Sequence, residues 1–263
     1  MSGLDWTACP HCHEPLTRTG RALRCPVGHS YDVARQGYVN LLGQAPPANA
    51  DTADMLDARS RFLAAGHYDD VALAVGEGVT GRRVVEVGAG TAFYLSWALD
   101  EHPDAEGLAT DVSVAAAKRA ARAHPRVAAV VADTWAGLPL VDASVDTIVC
   151  VFAPRNPAEF ARVLQPGGTL VVAQPAADHL IELRERYGLL GVAADKVDRL
   201  GAAFPGWTVS SRREVRSRAS LTAVEVADLI AMGPNAFHGL PGEVGSAEVQ
   251  VSVDVLALRS PGG

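Results

Sequence analysis

Long apolar runs are missing from this chain. Its 263 residues contain no stretch of about 18 consecutive apolar residues, the length that a membrane-spanning helix needs. The first residues, Met1 to Asp5, also lack the basic and then apolar pattern of a secretion signal. We therefore expect a protein without membrane helices, located in the cytoplasm.

An excess of positive charge is also missing. The formal net charge is −7, which argues mildly against a nucleic-acid partner. The net charge of the whole chain does not exclude a local positively charged patch, however, and it is such a patch that contacts phosphates. Apolar residues make up 48% of the chain, enough to supply a globular core.

Cysteine is scarce and unevenly placed. Cys9, Cys12 and Cys25 lie in the first tenth of the chain, whereas Cys150 stands alone in an apolar run. A cytosolic chain does not normally use clustered cysteines for disulfides, so the cluster indicates metal binding.

The spacing of this cluster is typical of a zinc site. Cys9-x-x-Cys12 is followed by Cys25-x-x-x-His29, so two short pairs each offer two ligands. Four such ligands complete a tetrahedron, which predicts a closed, structural site. His11 and His13 are rival ligands, but His29 pairs with Cys25 as Cys12 pairs with Cys9.

Residues 1–43 are predicted to form this zinc module, followed by a linker and connecting helices over residues 44–79. A module of this size cannot bury enough apolar surface to fold alone, so zinc is expected to supply stability. The sequence leaves two interpretations of its arginines open, a solvated surface or a face that contacts RNA phosphates. These arginines are Arg18, Arg21, Arg24 and Arg35.

Residues 80–263 are predicted to form an α/β domain, because short β-branched runs alternate with Ala-rich helical stretches. The pattern predicts a parallel, doubly wound sheet. Strands are expected at residues 84–87, 106–110, 127–131, 145–152, 169–173, near 207–211 and at 247–258. Helices are expected at residues 94–99, 113–123 and 158–164, and from a capping box at Thr222 and Glu225 to Ala231.

A glycine-rich turn follows the first of these strands. It contains Glu86, Gly88 and Gly90, but Phe93 stands where a dinucleotide fingerprint would have its third glycine. An acid two residues before the first glycine is a feature of S-adenosylmethionine sites. The glycines let the backbone approach the methionine part of that cofactor.

Two further acids end the next two strands. Asp111 lies about twenty residues after the glycines, where a carboxylate accepts hydrogen bonds from both ribose hydroxyls. Asp133 ends the third strand, where its carboxylate is expected to accept from the adenine amino group. Ligands of such sheets bind at the carboxyl ends of the strands, so these positions favour an S-adenosylmethionine site. The alternative is an ordinary turn with two capping acids.

Taken together, the sequence resembles the RlmA family of 23S rRNA (guanine-N1)-methyltransferases, which includes macrolide-resistance members of the TlrB type. The resemblance covers nearly the whole chain. Its strongest pieces are Cys9 to Cys12 (CPHC), Cys25 to His29 (CPVGH), Gln36 to Leu42 (QGYVNLL), Met55 to Tyr68 (MLDARSRFLAAGHY), Phe152 to Asn156 (FAPRN) and Val163 to Gly168 (VLQPGG). The segments Asp133 to Trp135 and Phe152 to Asn156 are more similar to the Gram-positive, TlrB-like branch.

The resemblance implies a class I, Rossmann-like methyltransferase sheet with an N-terminal zinc-binding module. It implies zinc at Cys9, Cys12, Cys25 and His29, and cofactor contacts at Tyr68, Gly90, Thr91 and His179. Ordinary packing of Tyr68 and a surface position for His179 are the alternatives. The sequence departs from the family at two positions, with Glu86 in place of Asp and Ala92 in place of a third glycine.

The segment Phe152 to Asn156 ends the fourth strand, where class I methyltransferases hold the target base. Phe152 is expected to stack on guanine, with Arg155 or Asn156 bonding its edge. The alternative is a loop fixed by Pro154 with Phe152 facing the core. The target base is expected in a hairpin loop of ribosomal RNA, whose bases can be splayed out.

Two other functions compete with this hypothesis. A small-molecule methyltransferase suits the acidic net charge but leaves the zinc module unexplained. A non-catalytic RNA-binding protein with the same fold is supported only by Ala89 and Ala92. The sequence also leaves a homodimer open.

Overall fold

The computed structural model describes residues 2–191, 196–238 and 242–262. Within them lie a small antiparallel sheet and a large mixed sheet of eight strands. The strands are β1 (Thr17–Thr19), β2 (Ala22–Arg24), β3 (Ser30–Asp32), β4 (Tyr38–Asn40), β5 (Arg83–Val87), β6 (Glu106–Asp111), β7 (Val127–Val131), β8 (Val145–Val151), β9 (Leu164–Pro175), β10 (Thr208–Leu221) and β11 (Ala247–Arg259).

Helices occur at the predicted positions, and the structure adds two that were not predicted, at Ile181–Tyr187 and Lys196–Ala203. The helices are α1 (Ala53–Ala64), α2 (Asp69–Gly78), α3 (Phe93–Glu101), α4 (Val114–Ala120), α5 (Pro157–Val163), α6 (Ile181–Tyr187), α7 (Lys196–Ala203) and α8 (Ala223–Ala231), with short 3-10 helices at Ser2–Trp6 and Pro234–His238. No helix of the described ranges is long and apolar enough to cross a membrane.

The large sheet has the order β10-β11-β9-β8-β5-β6-β7-β4. Strands β5 to β9 pair in parallel, as predicted, but β11 runs antiparallel to both β9 and β10. The predicted parallel sheet thus forms the central part, and the edge made by β10 and β11 adds antiparallel pairing to it. The reason is that α8 does not cross the sheet. It begins directly after β10 with the predicted Thr222–Glu225 capping box, packs on α1, and the chain re-enters the sheet where Leu221 pairs with Ala247.

The zinc module packs on one face of this sheet and extends it. Leu4, Trp6 and Leu23 are buried in one hydrophobic cluster with Leu108 and Val130 of the sheet. Strand β4 pairs in parallel with β7 and adds an eighth strand at the edge. Apolar contact with the sheet therefore stabilises the module in addition to any metal. The division of the chain at residues 43 and 79 stays a prediction.

The opposite face of the sheet carries α1 to α4, α6 and α8. Their apolar side chains form a second cluster that includes Phe62, Val75, Leu95 and Leu183. The sheet is thus covered on both sides, and its carboxyl edge, where β5 to β8 end, is left open for a site.

Candidate functional site

A cavity of about 670 Å³ lies at the carboxyl ends of β5 to β8. Sites for small molecules and cofactors are typically about 300–1,000 Å³. The structure brings most of the predicted cofactor residues to its wall: Tyr68, Glu86, Gly88, Thr91, Asp111, Asp133 and His179.

The glycine-rich turn contributes Gly88 and Thr91 to the wall of the cavity, and its backbone conformation favours glycine. Gly88 and Gly90 have φ angles of +64° and +54°, in the left-handed region that favours glycine. A Cβ on Gly90 would lie 2.5 Å from Nη1 of Arg59, and one on Gly88 2.7 Å from the Cβ of Ala153. Ala92, where the resemblance implies a third glycine, also adopts a left-handed φ of +57°. The backbone of Ala92 is therefore strained, at a cost of about 1–2 kcal/mol relative to glycine in the same conformation.

Asp111 links two loops of the site. Its Oδ2 accepts from the N–H of Gly90 at 2.8 Å, and its Oδ1 accepts from the N–H of Ser113 at 2.8 Å. Burial raises the pKa of Asp111, and these two N–H donors oppose the shift. The carboxylate therefore holds the glycine turn in place and lies on the cavity wall.

Glu86 is almost completely buried beneath the turn. Its Oε2 accepts from the N–H of Leu95 at 3.2 Å. Burial raises the pKa of Glu86 to about 8, and the charge of Asp111 adds to the shift, while the Leu95 N–H and Arg59 oppose it. A positively charged ligand beside this carboxyl would favour its ionised form.

Asp133 occupies the end of β7 at the cavity. Its Oδ1 accepts from the N–H of Trp135 at 2.9 Å, which closes a tight turn. The carboxyl thus shapes the loop that carries Trp135 and lines the cavity at the same time.

Tyr68 and His179 form a buried pair on another wall. Tyr68 Oη lies 3.1 Å from Nε2 of His179, and the N–H of Ser252 donates to Nδ1 of His179 at 3.1 Å. Because Nδ1 accepts, the proton of the neutral ring lies on Nε2 and is donated to Tyr68 Oη. The surface position considered for His179 is wrong, since the side chain is buried.

Phe152 faces the cavity rather than the core. It is 42% exposed, and its φ of +52° is unusual for a residue with a large side chain. Its ring lies parallel to that of His179 with centroids 6.1 Å apart, and 6.2 Å from the ring of Tyr68. The backbone N–H donates to the carbonyl of Ala173 and fixes this conformation. A strained aromatic residue at a cavity is typical of a functional position.

Arg155 and Asn156 are not brought to the cavity wall. Arg155 lies beside the buried thiol of Cys150, where its charge opposes the rise in the thiol pKa that burial causes. Asn156 caps α5 and donates from Nδ2 to the carbonyl of Thr134 at 2.9 Å. Both side chains are turned towards the protein. Their positions therefore do not support the predicted contacts with the edge of a base.

The segment predicted as a linker turns out to be part of the site. Asp51 and Arg59 line the cavity and pair at 2.6 Å, while Arg59 Nη2 donates to the carbonyl of Met232. The carbonyl of Asp51 accepts from the hydroxyl of Ser113 at 2.6 Å. Arg59 was not predicted from the sequence, because its bond to Met232 joins segments that are distant in the chain. Its occurrence in the family-like segment Met55 to Tyr68 was the available signal.

The predicted zinc ligands converge at one point of the module. The ligand atoms of Cys9, Cys12, Cys25 and His29 all lie within 4.8 Å of one another. Sγ of Cys12 and Sγ of Cys25 are 3.7 Å apart, and Nδ1 of His29 is 3.4 Å from Sγ of both Cys9 and Cys25. Tetrahedral zinc would separate such atoms by about 3.5–3.8 Å.

The donor set therefore fits a structural zinc ion. Tyr31 Oη lies 3.1 Å from Sγ of Cys9, where a hydroxyl supports a thiolate ligand. The rival His11 lies outside this group, although its ring is centred 5.2 Å from that of His29.

Two clusters of arginine differ in their environment. Arg18, Arg21, Arg24 and Arg35 of the zinc module are exposed, and none forms an ion pair within the described residues. The cluster on β10, at the opposite edge of the sheet, is paired with carboxylates instead. Arg213 contacts Glu77, and Arg216 contacts Asp254 at 2.9 Å. The module arginines are thus the more available to phosphates.

Comparison with known protein families gives one match in the zinc module and one in the α/β domain. Residues 7–46 match the family described as "RlmA, N-terminal", and residues 84–168 match the family described as "Methyltransferase domain". A chain from the complex between the Haloferax volcanii Trm112 methyltransferase activator and "the putative methyltransferase" has a TM-score of 0.52 at 19% identity. That match covers 80% of this chain and 98% of the other, and it supports the fold alone.

Several relatives match over nearly the full length. The "Putative 23S rRNA (guanine-N(1)-)-methyltransferase" of Micromonospora griseorubida is 46% identical over 98% of this chain and 93% of its own. The "23S rRNA (guanine(748)-N(1))-methyltransferase" of Streptomyces fradiae is 42% identical over 97% of each chain.

Proposed function

Because the chain belongs to the family of 23S rRNA (guanine-N1)-methyltransferases, we propose that it methylates N1 of a guanine in large-subunit ribosomal RNA with S-adenosylmethionine. One observation carries the proposal. An acid-lined cavity of cofactor size and the exposed ring of Phe152 lie at the same edge of the sheet. The target guanine is presented from a hairpin loop.

The cofactor is held by the carboxyl ends of three neighbouring strands. When bound, S-adenosylmethionine supplies a methyl group on a positively charged sulfur. Asp111 accepts from the ribose hydroxyls, and Asp133 accepts from the adenine amino group. Around the methionine part lie the remaining predicted contacts: Tyr68, Glu86, Gly88, Gly90, Thr91 and His179. All of these residues except Gly90 line one cavity, and both glycines have the left-handed φ that favours glycine, which supports this assignment.

Phe152 stacks on the target guanine and orients its N1 towards the cavity. The protein contributes mainly positioning and the exclusion of water, as expected for an in-line methyl transfer. Arg155 and Asn156 do not contact the base, because neither residue lines the cavity.

The zinc module binds the RNA backbone. Zinc on Cys9, Cys12, Cys25 and His29 fixes its turns, and the exposed arginines contact phosphates near the hairpin. Their lack of carboxylate partners within the described residues supports this role over a merely solvated surface. The cytoplasmic location, the homodimer and the link to macrolide resistance stay predictions.

The proposal is tested with 23S rRNA transcribed without modifications. After incubation with the protein and S-adenosylmethionine, the RNA is digested and its nucleosides are identified by mass spectrometry. We expect 1-methylguanosine. Cofactor binding without any methylated nucleoside would indicate a small-molecule methyltransferase. RNA binding without cofactor binding would indicate a non-catalytic protein.

A further inference from the structure

Trp135 is the most exposed aromatic side chain at the cavity. It is 66% exposed and lines the same cavity as Phe152, but it follows β7, whereas Phe152 follows β8. Strands β5 and β6 lie between β7 and β8 in the sheet, so the two rings belong to different loops at its carboxyl edge. Trp135 and Phe152 thus expose two large aromatic side chains at one cavity, and exposed apolar groups that cluster in this way are typical of a binding site.

The loop that carries Trp135 is held on two sides. The carbonyl of Thr134 accepts from Nδ2 of Asn156 at 2.9 Å, and the N–H of Trp135 donates to Asp133. Three residues further on, the N–H of Leu138 donates to Oε2 of Glu159 at 2.7 Å. Asn156 and Glu159 belong to the start of α5, so this helix fixes the loop. The exposed ring is thus presented from a fixed backbone.

The same loop is joined to the zinc module. The N–H of Ala8 donates to the carbonyl of Pro139 at 2.9 Å, and the N–H of Val141 donates to the carbonyl of Trp6 at 2.9 Å. Ala8 directly precedes the ligand Cys9. Trp135 therefore belongs to a loop that lines the cavity at one end and is hydrogen-bonded to the zinc module at the other.

We propose that Trp135 is a stacking platform for a nucleobase of the RNA substrate, so that the RNA passes from the zinc module across Trp135 into the cavity. Nucleobases stack on exposed aromatic rings in this way, independently of base identity. Asn156 is then a positioning residue, because it fixes the carbonyl of Thr134 next to this ring. This inference rests on the function proposed above.

Tryptophan fluorescence tests the contact directly. Trp6 is buried and Trp97 and Trp207 are half-buried, so Trp135 dominates the solvent-exposed emission. We expect an unmodified rRNA hairpin to quench the emission of the wild-type protein. The variant Trp135→Phe should lose this quenching while it keeps its RNA affinity. Equal quenching of wild type and Trp135→Phe would overturn the proposal.

Kinetics separate this role from a structural one. Trp135→Ala should raise the KM for RNA by about tenfold or more, because one stacked base is lost. Its melting temperature and its affinity for S-adenosylhomocysteine should be unchanged. Asn156→Asp keeps an oxygen that can cap α5 but loses the donor to Thr134, so it should raise the KM for RNA with little change in melting temperature.

The outcomes distinguish the two proposals. A normal KM for RNA in Trp135→Ala would reject the platform and leave the methyltransferase function standing. Quenching by S-adenosylhomocysteine, with lost affinity for it in Trp135→Ala, would place the cofactor's adenine on this ring instead. Absence of methylation by the wild type, with RNA quenching intact, would reject the proposed function and not the platform.

Discussion

The N–H of Gly90 donates to Oδ2 of Asp111 at 2.8 Å, which ties the glycine turn after β5 to the end of β6. The acid predicted to bind the ribose thus also fixes the turn predicted to hold the methionine part. A substitution there affects both halves of the cofactor site at once.

We expect Asp111→Ala to weaken S-adenosylmethionine binding by at least about tenfold, since each charge-assisted hydrogen bond is worth about 1.5–3 kcal/mol. The Gly90 and Ser113 donors also lose their acceptor. Titration calorimetry measures the affinity, with Asp104→Ala, an exposed acid before β6, as the matched control. Equal affinities of the two variants would reject the assignment of Asp111.

The buried carboxyl of Glu86 makes the free energy of unfolding depend on pH. Its pKa is about 8 in the folded state and about 4.5 when unfolded, so the folded protein holds a proton that the unfolded chain releases between these values. Its contribution to stability is greatest below about pH 4.5 and falls as the pH rises to about 8.

Glu86→Gln should therefore become more stable relative to the wild type as the pH rises from 5 to 8, and the difference should level off above 8. Each pKa unit corresponds to about 1.4 kcal/mol. Thermal unfolding of the ligand-free proteins measures this, with Glu101→Gln, an exposed residue at the end of α3, as the control. A difference that does not vary with pH would show that Glu86 is ionised throughout.

Zinc should be present at one ion per chain and should depend on His29. We expect His29→Ala to lose zinc and to unfold at a lower temperature, because a ligand of the tetrahedron is removed. His11→Ala should keep both properties, since His11 lies beside the group without belonging to it. Elemental analysis of protein purified without chelators decides between them. Zinc loss in His11→Ala alone would contradict the ligand set.

The module arginines should contribute to RNA binding in a salt-dependent manner. Replacing Arg18, Arg21 and Arg24 by Ala should weaken RNA binding. The slope of log affinity against log salt concentration should become less steep by about 0.7–0.9 for each lost phosphate contact. Cofactor affinity should stay unchanged. Replacing Arg212, Arg213 and Arg218 removes the same charge from the opposite edge of the sheet and should have a smaller effect. If only the second variant loses affinity, β10 is the RNA-binding surface and the module is structural.

Local chemistry made much of the fold and the site predictable. The spacing of Cys9, Cys12, Cys25 and His29 predicted a ligand group that the structure does bring together. Each pair of ligands lies on a single turn, so its geometry depends on residues that are neighbours in the chain. The acids Glu86, Asp111 and Asp133 were found because parallel strands place their carboxyl ends at one edge.

Contacts between distant segments were not predictable in this way. Arg59 reaches Met232, 173 positions away, and no local pattern records such a bond. Strand β4 has only three residues and was missed, because its partner β7 lies almost ninety residues further on. Asn156 was interpreted as a base contact since it ends a family-like segment, but its amide is used to cap α5 and to hold Thr134.

Primer extension on 23S rRNA tests the central claim most directly, because a methyl group on guanine N1 blocks Watson–Crick pairing and stops reverse transcriptase. Unmodified rRNA is incubated with S-adenosylmethionine and either the wild type or Phe152→Ala. We expect a new stop at a single guanine in a hairpin loop with the wild type, and a much weaker stop with Phe152→Ala. A full-length extension product with the wild type, under conditions where it binds both cofactor and RNA, would contradict the proposed function.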